Sequence, residues 1–166
     1  TDIVAVAPLT QDEVLQISAS VEKPSEHPLG EAIVRFAAEK RMETMPVTNF
    51  NADPGHGIMA TLNNKIIMLG NLRLMQENNV AVGALEQTAN RLWEEGKTVM
   101  FLAVENKAAG LIALADTIKP DAKEVVSQLQ KLGIETVMIT GDNKRTAEAI
   151  ARQAGIERVL SEVLPE

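Results

Sequence analysis

Between Val47 and Leu69 the chain alternates in the manner of an antiparallel hairpin sheet. Val47 to Phe50, Ile58 to Leu62 and Lys65 to Leu69 are short apolar-rich runs, broken by Pro54-Gly55-His56-Gly57 and by Asn63-Asn64. Glycine and asparagine enter positive φ at the least steric cost, so both breaks read as tight turns and the three runs as consecutive strands. Thr98 to Val104 and Ala108 to Ala115, around Glu105-Asn106-Lys107, read as a second hairpin.

Helices frame these strands. A short apolar run, Ile3 to Val6, precedes Thr10, whose N-cap character is strengthened by Glu13 three positions later. Val14, Leu15 and Ile17 continue at helical spacing until Lys23-Pro24. Pro28 suits the first turn of a second helix with Leu29, Ile33, Phe36 and Ala37 on one face. The two make a helical hairpin around Ser25-Glu26-His27-Pro28-Leu29. Asn71 to Gln76 and Ala84 to Glu95 are further helices. The segment 1–115 is therefore expected to be an α+β domain, an antiparallel sheet with helical hairpins.

From Asp116 the pattern changes. A helix from Asp121 to Leu132 ends at Gly133, and Ile134 to Ile139 is a continuous apolar run. Thr140-Gly141-Asp142, a helix from Asn143 to Ala154 and a short Val159-Leu160 strand follow. This αβαβ order with an uninterrupted apolar strand predicts a buried parallel sheet over 116–166, of which only part is present.

Composition narrows the function classes. A net charge of −7 argues against a phosphate-backbone partner, so no nucleic acid is expected. With no cysteine and two histidines, neither a disulfide nor a thiolate metal site can form, and no metal ligands are assigned. The amino end carries no basic signal region and reads as an excerpt of something longer.

Gly55-His56-Gly57-Ile58-Met59-Ala60 formally matches a dinucleotide fingerprint, but a β-hairpin follows it where the fingerprint needs a helix, so that reading is rejected. The glycines then serve either a positive-φ turn or a stretch of bare backbone that a ligand approaches. His27 and Glu22 are either structural end-of-helix groups or, together at the hairpin junction, an imidazole covering a purine ring and a carboxylate accepting from its amine. Thr140-Gly141-Asp142 is either a helix cap, with Asp142 as N-cap and Gly141 easing the turn, or a phosphoryl-handling strand end.

Taken in order, SEHPL with Gly30-Glu31-Ala32-Ile33, PGHG, LGN (Leu69 to Asn71), GKT (Gly96 to Thr98), ADTIKPDA (Ala115 to Ala122) and MITGDN (Met138 to Asn143) resemble the heavy-metal-transporting P-type ATPases over essentially the whole chain. Leu72-Arg73-Leu74-Met75 after the Gly-Asn pair is more similar to the copper(I) branch. The resemblance implies a nucleotide-binding domain over 1–115 and part of a haloacid-dehalogenase-like phosphorylation domain over 116–166. It implies ATP as ligand, with Mg²⁺ in the complete enzyme. Glu22 would bind the adenine edge and His27 orient the base. Gly55 and Gly57 would let backbone approach, Ile58 would add apolar contact, and Gly70 and Asn71 would complete the wall. Thr140 would meet the phosphoryl group, with Gly141 and Asp142 shaping its turn, and Asp116 to Lys119 would be the return hinge.

That family's DKTGT aspartate, its GDGxND motif and the lysine expected after Pro165-Glu166 are not in this sequence. The chain is thus expected to bind ATP without turning over, as the cytoplasmic part of a membrane protein whose membrane and actuator domains are its partners. An alternative of another class is a regulatory or interaction module with a vestigial pocket. A stand-alone phosphatase lacks a convincingly placed aspartate nucleophile. Unpaired strand edges in the last fifty residues are expected to loosen that part or pair it with a second copy.

Overall fold

The computed structural model describes residues 1–115 and 118–163. The chain divides into two compact units, Thr1–Gln87 with Val99–Leu114, and Thr88–Thr98 with Ala115–Glu166.

The first unit is built on a six-stranded sheet of β1 (Asp2–Ala5), β2 (Thr48–Asp53), β3 (Gly57–Leu62), β4 (Lys65–Gly70), β5 (Lys97–Val104) and β6 (Lys107–Ala115), in the order β1-β6-β5-β4-β3-β2. Strands β2, β3 and β4 form the antiparallel meander that the turn residues predict. Asn63 and Asn64 take φ of +48° and +62°, the mirror-image turn whose twist matches the flanking strands. Glu105 and Asn106 do the same at +51° and +60°. A glutamate rarely tolerates that conformation; here its Oε1 accepts from Ile66 N at 2.5 Å and its own N–H donates to Ile66 O at 2.9 Å, tying the turn to β4.

Helices α1 (Gln11–Glu22) and α2 (Pro28–Glu39) pack as the expected hairpin, α1 lying against β1, β3 and β4. The capping box at Thr10 is formed in both directions, with Glu13 N–H to Thr10 Oγ1 and Thr10 N–H to Glu13 Oε2. Between helices and sheet lies one core of Val14, Leu15, Ala19, Val21, Ile33 and Ala37 with Ile58, Leu69, Leu102 and Ile112. Helix α3 (Leu72–Glu77) follows β4 directly, and α4 (Gly83–Glu94) leads into β5.

The second unit holds α5 (Ala122–Lys131), β7 (Val137–Ile139), α6 (Lys144–Ala154) and β8 (Arg158–Leu160). Strands β7 and β8 pair in parallel, Met138 opposite Val159. The expectation of a buried sheet is corrected. Strand β7 has three residues instead of six, Ile134 and Ile139 are 50% and 65% exposed, and no residue of α5 is buried. An apolar run makes a strand competent for a buried sheet, but the faces of a parallel sheet are buried by helices packed over them, and α5 covers too little to bury any residue of its own.

Segment 88–98, which the division at 115/116 puts with the first domain, clusters with the second unit instead. Thr146 Oγ1 donates to Lys97 O at 2.9 Å, Arg145 to Asn90 Oδ1 at 2.6 Å, and Gly96 at φ +77° lies against Ala149 and Ile150 of α6. Of the expected return hinge, Asp116 to Lys119, Asp116 and Thr117 lie outside the described residues, as do Pro165 and Glu166.

Candidate functional site

Two groups of side chains in the first unit carry the residues singled out in the sequence. The first lies where α1 ends and α2 begins. Glu22, the last residue of α1, is only 3% exposed, and its Oε2 has no hydrogen-bond partner among the described residues. Burial pushes its carboxyl above the usual glutamate value, and the hydrogen bond from Ser25 works the other way. The Ser25 hydroxyl accepts from His27 N–H at 3.2 Å, and Ser25 N–H donates to the Glu22 main-chain carbonyl at 2.8 Å.

His27 caps α2. Its Nδ1 accepts from Leu29 N–H at 3.2 Å, in place of the usual serine or aspartate oxygen. Accepting through Nδ1 leaves the proton of the neutral ring on Nε2, while the side chain stays exposed. The structural reading of this residue is met, since one ring nitrogen serves the helix while the side chain stays exposed.

The second group is a knot between the Gly55-His56-Gly57 turn and the start of α3. Asn71 makes three bonds there: its N–H donates to His56 O at 2.9 Å, its Nδ2 to Gly55 O at 2.7 Å, and its Oδ1 accepts from Leu74 N–H at 3.0 Å as the cap of α3. Gly57 stands opposite Gly70 in the β3–β4 register. A Cβ on Gly57 would strike Leu69 O and come within 2.5 Å of the Gly70 Cα; one on Gly70 would strike His56 O and lie 2.9 Å from the Gly57 Cα. The bareness of these two glycines is thus already used by each other's backbone. Gly55, at φ +79°, answers the turn reading.

Ile58 is 5% exposed and belongs to the core shared with Val21 and Ile33, so its side chain supports β3 from beneath. Sequence reasoning passed over His56 itself. Its Nδ1 lies 3.1 Å from Asp53 Oδ1 and its Nε2 is buried with no partner among the described residues. Its place between two glycines was the only signal.

In the second unit Asp142 is not the N-cap. Asn143 caps α6 by accepting from Thr146 N–H at 3.1 Å. Asp142 instead receives two hydroxyls, Thr140 Oγ1 on Oδ2 at 2.8 Å and Thr98 Oγ1 on Oδ1 at 3.1 Å, and its own N–H donates back to Thr140 Oγ1. A Cβ on Gly141 would meet only Val163 O, at 3.4 Å, so space does not require glycine in this turn. Thr98, from the GKT segment, is the member sequence reasoning missed, because 44 residues separate it from Asp142. For Thr140 to meet a phosphoryl oxygen, its hydroxyl must release Asp142. Among the described residues no three acidic or histidine side chains group as metal ligands, and no helix is long and apolar enough to cross a membrane.

The family of haloacid dehalogenase-like hydrolases matches residues 2–166. The copper-exporting P-type ATPase of Bacillus subtilis (strain 168) is 45% identical over 166 residues, all of this chain and 21% of that protein. The chain therefore spans about a fifth of the length of the relative it matches. Among solved structures, a zinc-transporting PIB-type ATPase in an E2.Pi state aligns at TM-score 0.70 and 32% identity, covering 99% of this chain and 26% of that one. The N-domain of a copper-transporting P-type ATPase aligns at TM-score 0.60 over 69% of this chain and 98% of its own, and at 23% identity it speaks to fold alone.

Proposed function

The chain belongs to the haloacid dehalogenase-like hydrolases and its homologues are copper-exporting P-type ATPases, and from that premise we propose that its first unit binds ATP for such an enzyme. The observation that supports this reading is the Glu22 carboxyl, buried and with an oxygen lacking a partner among the described residues, five residues before the exposed His27 that caps α2. A buried polar atom without a partner costs about 1–3 kcal/mol. A purine amine offers the missing donor, and His27 has a free edge and face for the base. Gly55 and Gly57 let main chain approach the nucleotide and Gly70 and Asn71 complete that wall, with Ile58 fixing β3 beneath them.

In the whole enzyme the γ-phosphoryl group is transferred to an aspartate outside this sequence, and the aspartyl-phosphate drives export of copper(I). Thr140 and Asp142 belong to the phosphoryl side, where the Thr140 hydroxyl exchanges its Asp142 partner for a phosphoryl oxygen. Mg²⁺ held by the nucleotide phosphates would supply charge neutralisation there. This chain by itself binds ATP and does not turn it over. Its partners are the membrane and actuator parts of the same enzyme, with the chain on the cytoplasmic side.

Calorimetric titration of ATP onto the wild-type chain and onto His27→Ala tests the reading. Saturable binding weakened on the order of tenfold by the substitution is expected; absence of heat with the wild type at millimolar ATP would refute it. A second reading, an interaction module that self-associates, is favoured by one observation: Leu132, Ile134, Ile139 and Leu160 of the second unit are 75%, 50%, 65% and 45% exposed. Sedimentation that stays monomeric at every concentration would remove it.

A further inference from the structure

Gly30 is the third residue of α2, and glycine inside a helix is a poorer choice than alanine, because it leaves more backbone freedom to be lost on folding. No turn or left-handed conformation calls for it. What a side chain there would meet is specific. A Cβ on Gly30 would collide with Glu22 Oε2, lie 3.0 Å from Glu22 Cδ and 3.3 Å from Ser25 Oγ. All three nearest atoms belong to side chains, and two of them are the Glu22 carboxyl. Gly57 and Gly70 differ, since their nearest obstacles are backbone.

We propose that Gly30 is a positioning residue for nucleotide recognition: its missing side chain holds open the recess in which the Glu22 carboxyl lies, and so sets where Oε2 meets the amine of a bound purine. This rests on the ATP-binding reading for its functional half. Its structural half, that residue 30 determines the position of the acid, stands apart from any ligand.

The recess predicts two effects of opposite sign. An alanine at position 30 strikes the tip of a flexible side chain, which can rotate away, so the fold survives and α2 becomes a better helix. The displaced carboxyl moves toward water and away from the base. A glycine retained only for packing would instead lose stability on substitution with no change at Glu22.

The experiment compares the full chain with Gly30→Ala, Glu22→Ala and the double variant, using thermal unfolding, ¹³C-carboxyl NMR titration of Glu22, and calorimetry with ATP. We expect Gly30→Ala to unfold at or above the wild-type temperature. Its Glu22 pKa should fall toward the ordinary glutamate value, and its ATP affinity should weaken on the order of tenfold. In the Glu22→Ala background the same substitution should leave affinity unchanged. A Glu22 titration identical in wild type and Gly30→Ala overturns the proposal. So does a loss of stability that persists when Glu22 is already alanine, since the obstacle would then not be the carboxyl. If the Glu22 titration shifts as expected while no form binds ATP, the positioning role stands and the nucleotide reading fails.

Discussion

Asn71 offers the sharpest test of how the turn between β2 and β3 is held, because two of its three hydrogen bonds are made by the side chain and can be removed together or one alone. Asn71→Ala deletes the α3 cap, whose Oδ1 accepts from Leu74 N–H at 3.0 Å, and the Nδ2 bond to Gly55 O at 2.7 Å, while the backbone bond to His56 O remains. Loss of a cap costs about 1 kcal/mol, and loss of an exposed neutral hydrogen bond costs about 0.5–1 kcal/mol more. A total near 1.5–2 kcal/mol corresponds to roughly 6–12 °C in unfolding temperature for a unit of this size. Asn71→Asp separates the two contributions: it keeps the capping oxygen and replaces the donor facing Gly55 O with a second acceptor. It should retain most of the cap contribution yet lose the side-chain tie to Gly55 O. Differential scanning calorimetry reads the stability, and ATP titration of the same samples reads the site. Both variants should bind ATP more weakly. An Asn71→Ala protein as stable as wild type would refute the knot, and unaltered affinity in both would remove the turn from the binding site.

Gly57→Ala should be far more damaging, by more than about 3 kcal/mol, because at φ +145° the new Cβ meets the backbone of β4, which cannot rotate away; circular dichroism melting checks this. Thr98→Val should cost about 1 kcal/mol through its bond to Asp142, and calorimetric unfolding would detect it; a neutral result would mean that Asp142 does not need the second hydroxyl. The burial-raised carboxyl of Glu22 makes stability pH-dependent. A raised native value means that the folded chain binds the proton more tightly. Its contribution is therefore fully favourable below the ordinary glutamate pKa and is lost as pH rises through the raised one. Glu22→Gln should flatten that slope in urea unfolding between pH 4 and 7, with an unchanged slope contradicting the assignment.

Residues whose role is local could be read from the chain. The Asn63-Asn64 turn, the Thr10–Glu13 box and the α1–α2 hairpin each follow from a few neighbouring positions, and each formed as expected. Roles that depend on a distant partner could not. Gly57 reads as a turn glycine until the strand register sets it against Gly70, and Gly30 reads as incidental until the Glu22 carboxyl is found beside it. Thr98 and Asp142 meet across 44 residues with no pattern to announce it. The apolar run Ile134 to Ile139 misleads for a related reason: hydrophobicity records what a strand can be buried against, and the described residues supply one neighbouring strand, β8.

Chemical-shift mapping of the ¹⁵N-labelled chain during titration with ATP is the decisive observation. Saturable shifts grouped at Glu22 to Gly30 and at Gly55 to Asn71, with Gly30 and Gly57 among the largest, are the expected result. Shifts confined to the second unit, or none at millimolar nucleotide, would contradict purine recognition by the α1–α2 junction and the glycine turn.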